Sequence, residues 1–258
     1  MTGSQDPPSF RLAYVPGVTP DKWVRIWNER RPGVPLSLTQ VSAAGAGGVL
    51  LGGDADAGLV RLPVDRTVLS AIPLYTETTV VVIPKDHLVT AADEVTVEDL
   101  ADEIVLHPLD DVLGWERPPG RPAFERPATT ADAVELVAAG IGVLVVPLSL
   151  ARLHHRKDLT YRPVTDAPGS GVALSWPEDA HTDLVEEFIG IVRGRTVNST
   201  RGRQSAPAQA KDERTGTASA RRKPATAKKP AGGKQAGGAR RGSGGSTKGG
   251  RRGKPRGR

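Results

Sequence analysis

The sequence contains no cysteine. Disulfides, thiolate metal sites and thiol nucleophiles are therefore excluded. Aromatics are few: four Trp, three Tyr and three Phe in 258 residues. The longest apolar runs, such as VVVI at 80–83 and VLVV at 143–146, have the length of a strand and are too short to span a bilayer. The opening MTGSQDPP has neither a basic region nor an apolar run. No secretory signal is expected, and the cytoplasm is the expected compartment.

The end of the chain lacks still more. Residues 195–258 hold no Leu, Ile, Met, Phe, Tyr or Trp. They carry 19 Lys and Arg against two acids, Asp212 and Glu213, a formal charge of +17. Residues 1–194 carry 16 against 27, a formal charge of −11, and the two blocks sum to +6. Ordering a residue costs roughly 1–2 kcal/mol, which a segment without large apolar side chains does not recover. The expected organisation is a folded domain at 9–194 and a disordered basic tail at 195–258. A body of this length buries a sizeable core without staples.

Within the body, strand and helix signals alternate. FRLAYV at 10–15 reads as a buried strand. Thr19, Pro20 and Asp21 then offer a helix start with a hydroxyl cap. Trp23, Ile26 and Trp27 form one apolar face, and LSLTQV at 36–41 is the next strand. Strand, helix, strand within about thirty residues is a parallel unit with a right-handed crossover. The glycines at 45, 47 and 48 predict only a short helix in 43–53. Strands follow at 56–63, 69–75, 78–84 and 103–107. A capped helix follows Thr129, and a buried strand lies at 143–146. Further on come a short helix at 149–154, strands at 159–164 and 172–176, and a last helix capped by Thr182. Such alternation specifies an α/β class with mostly parallel sheets.

Several segments in this order resemble the effector-binding (substrate-binding) domain of LysR-type bacterial transcriptional regulators. They are FRLAYVPGVTP, WVRIWNERRPGVPLSL, ADAGLVRLP, LSAIPLYTETTVVVIPKDH, VTVEDLADE and TTADAVELVAAGIGVLVVP. The resemblance implies the type 2 periplasmic-binding-protein fold, two Rossmann-like lobes joined by two crossover strands. Lobe I would take about 9–80 and 168–194, and lobe II about 81–167. It also implies a small-molecule effector between the lobes, often a small organic acid. A homodimer through the first helix and the helix at 130–139 is a further implication.

Ligands of open α/β sheets sit beyond the carboxyl ends of strands, facing helix N-termini with free N–H groups. The candidate ligand contacts are accordingly Pro16, Gly17, Val18 and Thr19 after the first strand, and Gln40 to Ser42 after the second. Arg61, Leu62 and Pro63 end the third, and Thr129 and Thr130 open the helix of the second lobe. Thr19 and Thr130 read at least as readily as plain N-caps. Arg61 reads either as a bidentate carboxylate grip or as an ion pair with Asp65 or another acid.

Two departures from the family pattern are expected. The resemblance starts near residue 9, so the N-terminal winged helix-turn-helix is expected to be missing from this chain. After LHPLDD, where the family usually has a full helix, the sequence runs VLGWERPPGRPAFERP. Pro118, Pro119, Pro122 and Pro127 exclude a long helix there, so a trimmed second lobe is expected.

No sequence signal points to catalysis. Gly-x-Ser-x-Gly, the Gly-Lys-Ser/Thr phosphate loop and His-Glu-x-x-His are absent, and GAGG at 45–48 lacks dinucleotide spacing. His154 and His155 read as a solvated helix end, and Asp110 and Asp111 as loop carboxylates facing water. The expected protein is not an enzyme and carries no cofactor or metal. RRKPATAKKPAGGK resembles linker-histone tails, and GGARRGSGG and GGRRGKPRGR resemble Arg-Gly segments that bind RNA. The tail candidates for DNA or RNA phosphates are Arg221, Arg222, Lys223, Lys228, Lys229, Lys234, Arg240, Arg241, Arg251 and Arg252. With no aromatics to stack on bases, little sequence preference is expected. Nucleoid association would follow. A solubilising role and folding back onto the acidic body stay open, and no apolar anchor favours a membrane.

Overall fold

The computed structural model describes residues 8–195. The ten tail cations, and the disorder expected around them, lie outside the described residues. The first elements are β1 (Phe10–Tyr14), α1 (Asp21–Arg30), β2 (Leu36–Gln40), α2 (Ala46–Leu51), β3 (Ala57–Arg61) and β4 (Leu69–Glu77). The chain then passes through β5 (Thr79–Pro84) and two 3₁₀ turns, Leu88–Ala91 and Glu98–Leu100, to β6 (Ile104–Leu106) and β7 (Arg121–Pro122). α3 (Thr130–Ala138), β8 (Val143–Pro147), α4 (Leu148–Leu153) and β9 (Leu159–Pro163) follow. Finally β10 (Ser170–Pro177), a 3₁₀ turn at Glu178–Ala180 and α5 (Asp183–Val192) return to the first sheet.

Two five-stranded sheets result, in the orders β2-β1-β3-β10-β4 and β7-β6-β8-β5-β9. The ladders β1–β2, β1–β3, β6–β7 and β6–β8 are parallel, as the alternation of strands and helices requires. The ladders β10–β3, β10–β4, β5–β8 and β5–β9 are antiparallel. The sheets are thus mixed. The chain crosses between them from β4 to β5 and from β9 to β10, and these strands enter against the local direction.

The first sheet buries its apolar side against α1 and α5. Phe10, Trp27 and Phe188 form its centre, with ring centroids 4.7, 5.1 and 5.9 Å apart. The Trp27 indole N–H donates to the Val34 carbonyl at 2.9 Å, so the polar edge of this buried ring is satisfied. α2 is short, as its glycines predict, and buries Ala46 and Leu50. α1 differs from expectation at its start. Pro20 stands at the N-cap and makes no side-chain cap bond, and Thr19 is exposed. The residue before a proline is biased towards extended backbone, and here the Pro20 carbonyl accepts from Trp23 and Val24 instead.

The second sheet is covered on both faces, which explains its continuous apolar runs. Val80, Val82, Leu144 and Val146 face α3 and α4. Val81, Ile83, Val143 and Val145 face the opposite side, with Val95, Leu100 and Leu113. The Pro-rich stretch forms no helix, as expected. Its only regular element is the two-residue edge strand β7. Arg126 ties the stretch back, donating to the His107 and Pro108 carbonyls at 2.8 and 2.7 Å. Gly120 sits at φ +70°, and a Cβ there would lie 2.7 Å from two backbone carbonyls. Among the described residues no helix is long and apolar enough to cross a membrane.

Trp27 fills the centre of the first core, so Trp27→Ala is expected to lower unfolding free energy by about 3–5 kcal/mol. Urea denaturation followed by far-UV circular dichroism measures this. A change below about 1 kcal/mol would show that the aromatic cluster is not the anchor of this sheet.

Candidate functional site

The carboxyl ends of β1, β2 and β3 open on a cavity of about 710 Å³ between the two sheets. Its first-lobe wall is Pro16, Gln40 to Ala43 and Arg61, and its second-lobe wall comes from three places. Asp110 and Val112 lie in the loop after β6. Thr129, Thr130 and Ala131 begin α3, and Leu150, Leu153 and His154 end α4.

Arg61 is the charged centre of this region. Its side chain is 5% exposed and that of its partner Glu77 is 9% exposed. Nη1 donates to Glu77 Oε2 at 2.9 Å and to Ser170 Oγ at 3.0 Å. Nη2 donates to Ser149 Oγ at 3.1 Å and to the Pro16 carbonyl at 3.3 Å. Ser149 in turn donates to Glu77 Oε2 at 2.6 Å. Sheet register builds this cluster. Arg61 pairs with Val172, Ser170 lies two residues away on the same face of β10, and Ser170 pairs with Glu77 on β4. Ser149 belongs to α4 in the second lobe, so the network holds the two lobes together. Partial burial pushes the Tyr75 phenol up, Glu77 adds to that, and Arg61 opposes it.

Gly17 permits the close approach. It has φ +86°, and a Cβ there would stand 2.4 Å from Ser149 Oγ and 3.2 Å from Arg61 Nη2. A side chain at 17 would force Ser149 or Arg61 aside at the point where Arg61 joins the lobes.

The start of α3 is supplied with carboxylates. Thr129 is the N-cap, and its hydroxyl accepts from the Asp132 N–H at 3.1 Å. Asp132 Oδ2 accepts from the Thr129 N–H at 3.1 Å, completing a capping box. The cap is therefore Thr129 and not Thr130. Thr130 is buried, and its hydroxyl donates to Asp110 Oδ1 at 2.9 Å.

The structure brings together Pro16, Ser42, Arg61, Thr129 and Thr130 on the cavity wall. Gly17 supports that wall from behind. Four other candidates are not on it. Val18 is buried in the first core, and Thr19 is exposed beyond it. Leu62 packs on Gly171, and Pro63 is exposed where the chain leaves β3. Alternation sends Leu62, next to Arg61, to the other face, and Pro63 lies beyond the end of β3 at Arg61. Arg61 pairs with Glu77 and not with Asp65, whose Oδ1 accepts from Thr67. Sequence reasoning read both Asp110 and His154 as solvent-facing and missed their place on the cavity wall; Asp110 is exposed as read, and His154 is half-buried. The available signal for Asp110 was its place in the loop following β6, at a strand's carboxyl end.

The protein-family model described as LysR substrate binding domain matches residues 8–196. Over 179 residues the chain is 29% identical to the HTH-type transcriptional regulator AlsR of Bacillus subtilis (strain 168). That alignment covers 65% of this chain and 59% of the relative. It is 34% identical over 161 residues to a probable hydrogen peroxide-inducible genes activator of Mycobacterium avium, covering 57% and 52%. The chain thus spans only a little over half the length of these two relatives. Among solved structures, the BenM effector binding domain with its effector benzoate superposes with a TM-score of 0.61. It is 19% identical, over 78% of this chain and 96% of that one. The oxidized form of OxyR gives a TM-score of 0.59 at 21% identity, over 74% and 97%. These likenesses establish the fold.

Breaking a buried ion pair from one side leaves an uncompensated charge. Arg61→Met is expected to cost about 3–5 kcal/mol of stability, and Arg61→Met with Glu77→Met to recover most of it. A double-mutant cycle by urea denaturation reads this directly. Additive losses would show that the two side chains do not act as a pair.

Proposed function

Because this chain belongs to the LysR substrate binding domain family, we propose that it senses a small molecule in the interlobe cavity and conveys that state to transcription. The carrying observation is the cavity itself. It is about 710 Å³, lies at the carboxyl ends of three parallel strands and is walled by both lobes. A ligand touching both walls favours one lobe arrangement by its differential affinity for the two, which is all that an effector needs. In this reading the protein is a binding module with no reaction of its own.

The basic tail supplies the second half of the reading. Arg221, Arg222, Lys223, Lys228, Lys229, Lys234, Arg240, Arg241, Arg251 and Arg252 engage DNA or RNA phosphates without reading sequence. Support comes from the tail's formal charge of +17 and its lack of aromatics. Such contact releases counterions and would keep the protein with the nucleoid in the cytoplasm.

Two measurements test the two halves. A thermal-shift screen of small metabolites against the full chain is expected to find a compound that stabilises it, by about 2.7 kcal/mol at a hundredfold excess over Kd. Ala131→Trp, which fills the cavity, is expected to abolish that shift. No stabilising compound, or equal stabilisation of the variant, would remove the sensing role. Gel-shift titration is expected to show duplex binding whose log K falls with log salt at a slope near about −9 if ten phosphates are engaged. Glutamine at the ten tail positions, which leaves nine of the tail's 19 Lys and Arg, should weaken it by at least about tenfold and flatten the salt dependence. Equal affinity in both proteins would exclude the tail.

A further inference from the structure

We propose that the cavity takes a small organic cation, an ammonium group on an apolar body, with the carboxylate of Asp110 as its charged contact. This rests on the sensing role proposed above and names the ligand class. The argument is a balance of charge on the wall. Among the described residues Arg61 is the only Lys or Arg side chain lining the cavity, with His154 on the opposite wall. The Arg61 guanidinium is already matched by Glu77, and both its terminal nitrogens are engaged by Glu77, Ser170, Ser149 and Pro16. A ligand carboxylate could take Arg61 only by stranding a buried Glu77, which costs more than it returns.

The other anion-attracting feature is the N-terminus of α3, and it too is supplied. Asp132 closes the capping box, and Asp110 stands beside the first turn, held by the Thr130 hydroxyl. Among the described residues Asp110 has no partner besides Thr130, and it is an exposed carboxylate at the cavity wall whose other acceptor sites are open to water. An ammonium there replaces that water with a charge partner. The rest of the ligand lies against Val41, Val112 and Leu150, which give the wall its apolar part.

Three probes of one shape separate the classes: benzylamine, benzyl alcohol and benzoate. Each is titrated calorimetrically into the full chain at neutral pH in physiological salt. Benzylamine is expected to bind at least about tenfold more tightly than benzoate, with benzyl alcohol between them. That ratio is about 1.4 kcal/mol. Asp110→Asn is expected to bring benzylamine down to the alcohol's affinity and to leave the alcohol unchanged. Because the tail itself attracts anions, the same titrations are run on the protein with glutamine at the ten tail cations. Benzoate binding lost there belongs to the tail. Benzoate that outbinds benzylamine in both proteins, and competes with it, would overturn the cation proposal and leave the sensing role standing. Benzylamine binding that ignores Asp110→Asn would overturn it as well. Binding of none of the three would also overturn it, and the metabolite screen with Ala131→Trp then decides the sensing role separately.

Discussion

The Arg61–Glu77 pair is the constraint on which the cavity depends. It lies where β3 and β4 end, beside the crossing into the second sheet, and it is almost wholly buried. A guanidinium removed from water requires a matched carboxylate and filled hydrogen bonds. Glu77 provides the first, and Ser149, Ser170 and the Pro16 carbonyl provide the second. Because Ser149 comes from α4, meeting this requirement also fixes how the lobes approach. Glycine at 17 meets the same need, since a side chain there would enter the space that Ser149 and Arg61 use.

A second consequence is chemical. A crevice at the carboxyl ends of parallel strands, facing a helix start, ordinarily favours anions. Here the chain supplies its own anions. Glu77 takes the arginine, Asp132 takes the helix end, and Asp110 takes the Thr130 hydroxyl. The fold shared with an effector binding domain solved with benzoate and with the oxidized form of OxyR therefore does not carry a ligand class with it. Ligand choice in such a scaffold is set by a few side chains on the walls, and here the arginine and the helix start are already met by the chain's own carboxylates.

Much of the architecture was legible in the sequence because burial leaves a pattern. VVVI and VLVV are unbroken apolar runs because both faces of the second sheet are covered. The capped start of α3 was visible as Thr and Asp three residues apart, a spacing that local hydrogen bonding requires. The prolines after residue 117 foretold the missing helix, since they remove backbone donors wherever they stand. Thr19 shows the limit of such local reading. Its type suited a cap, but the following proline took that position itself.

The site was less legible, because its partners are far apart in the chain. Arg61 meets residues 16, 109 and 88 positions away, and only strand register and lobe closure decide which they are. Nothing local marks Glu77 over Asp65 as its counter-ion, or separates Asp110 on the cavity wall from an ordinary loop carboxylate. By itself the sequence determined what depends on near neighbours and composition: the α/β elements, the helix that prolines forbid, the family, and the opposed charges of body and tail. Only the tertiary structure decided which charges are already paired. A buried ion pair is chosen by the geometry that brings two distant groups into one low-dielectric place, and that geometry exists only once both sheets have formed.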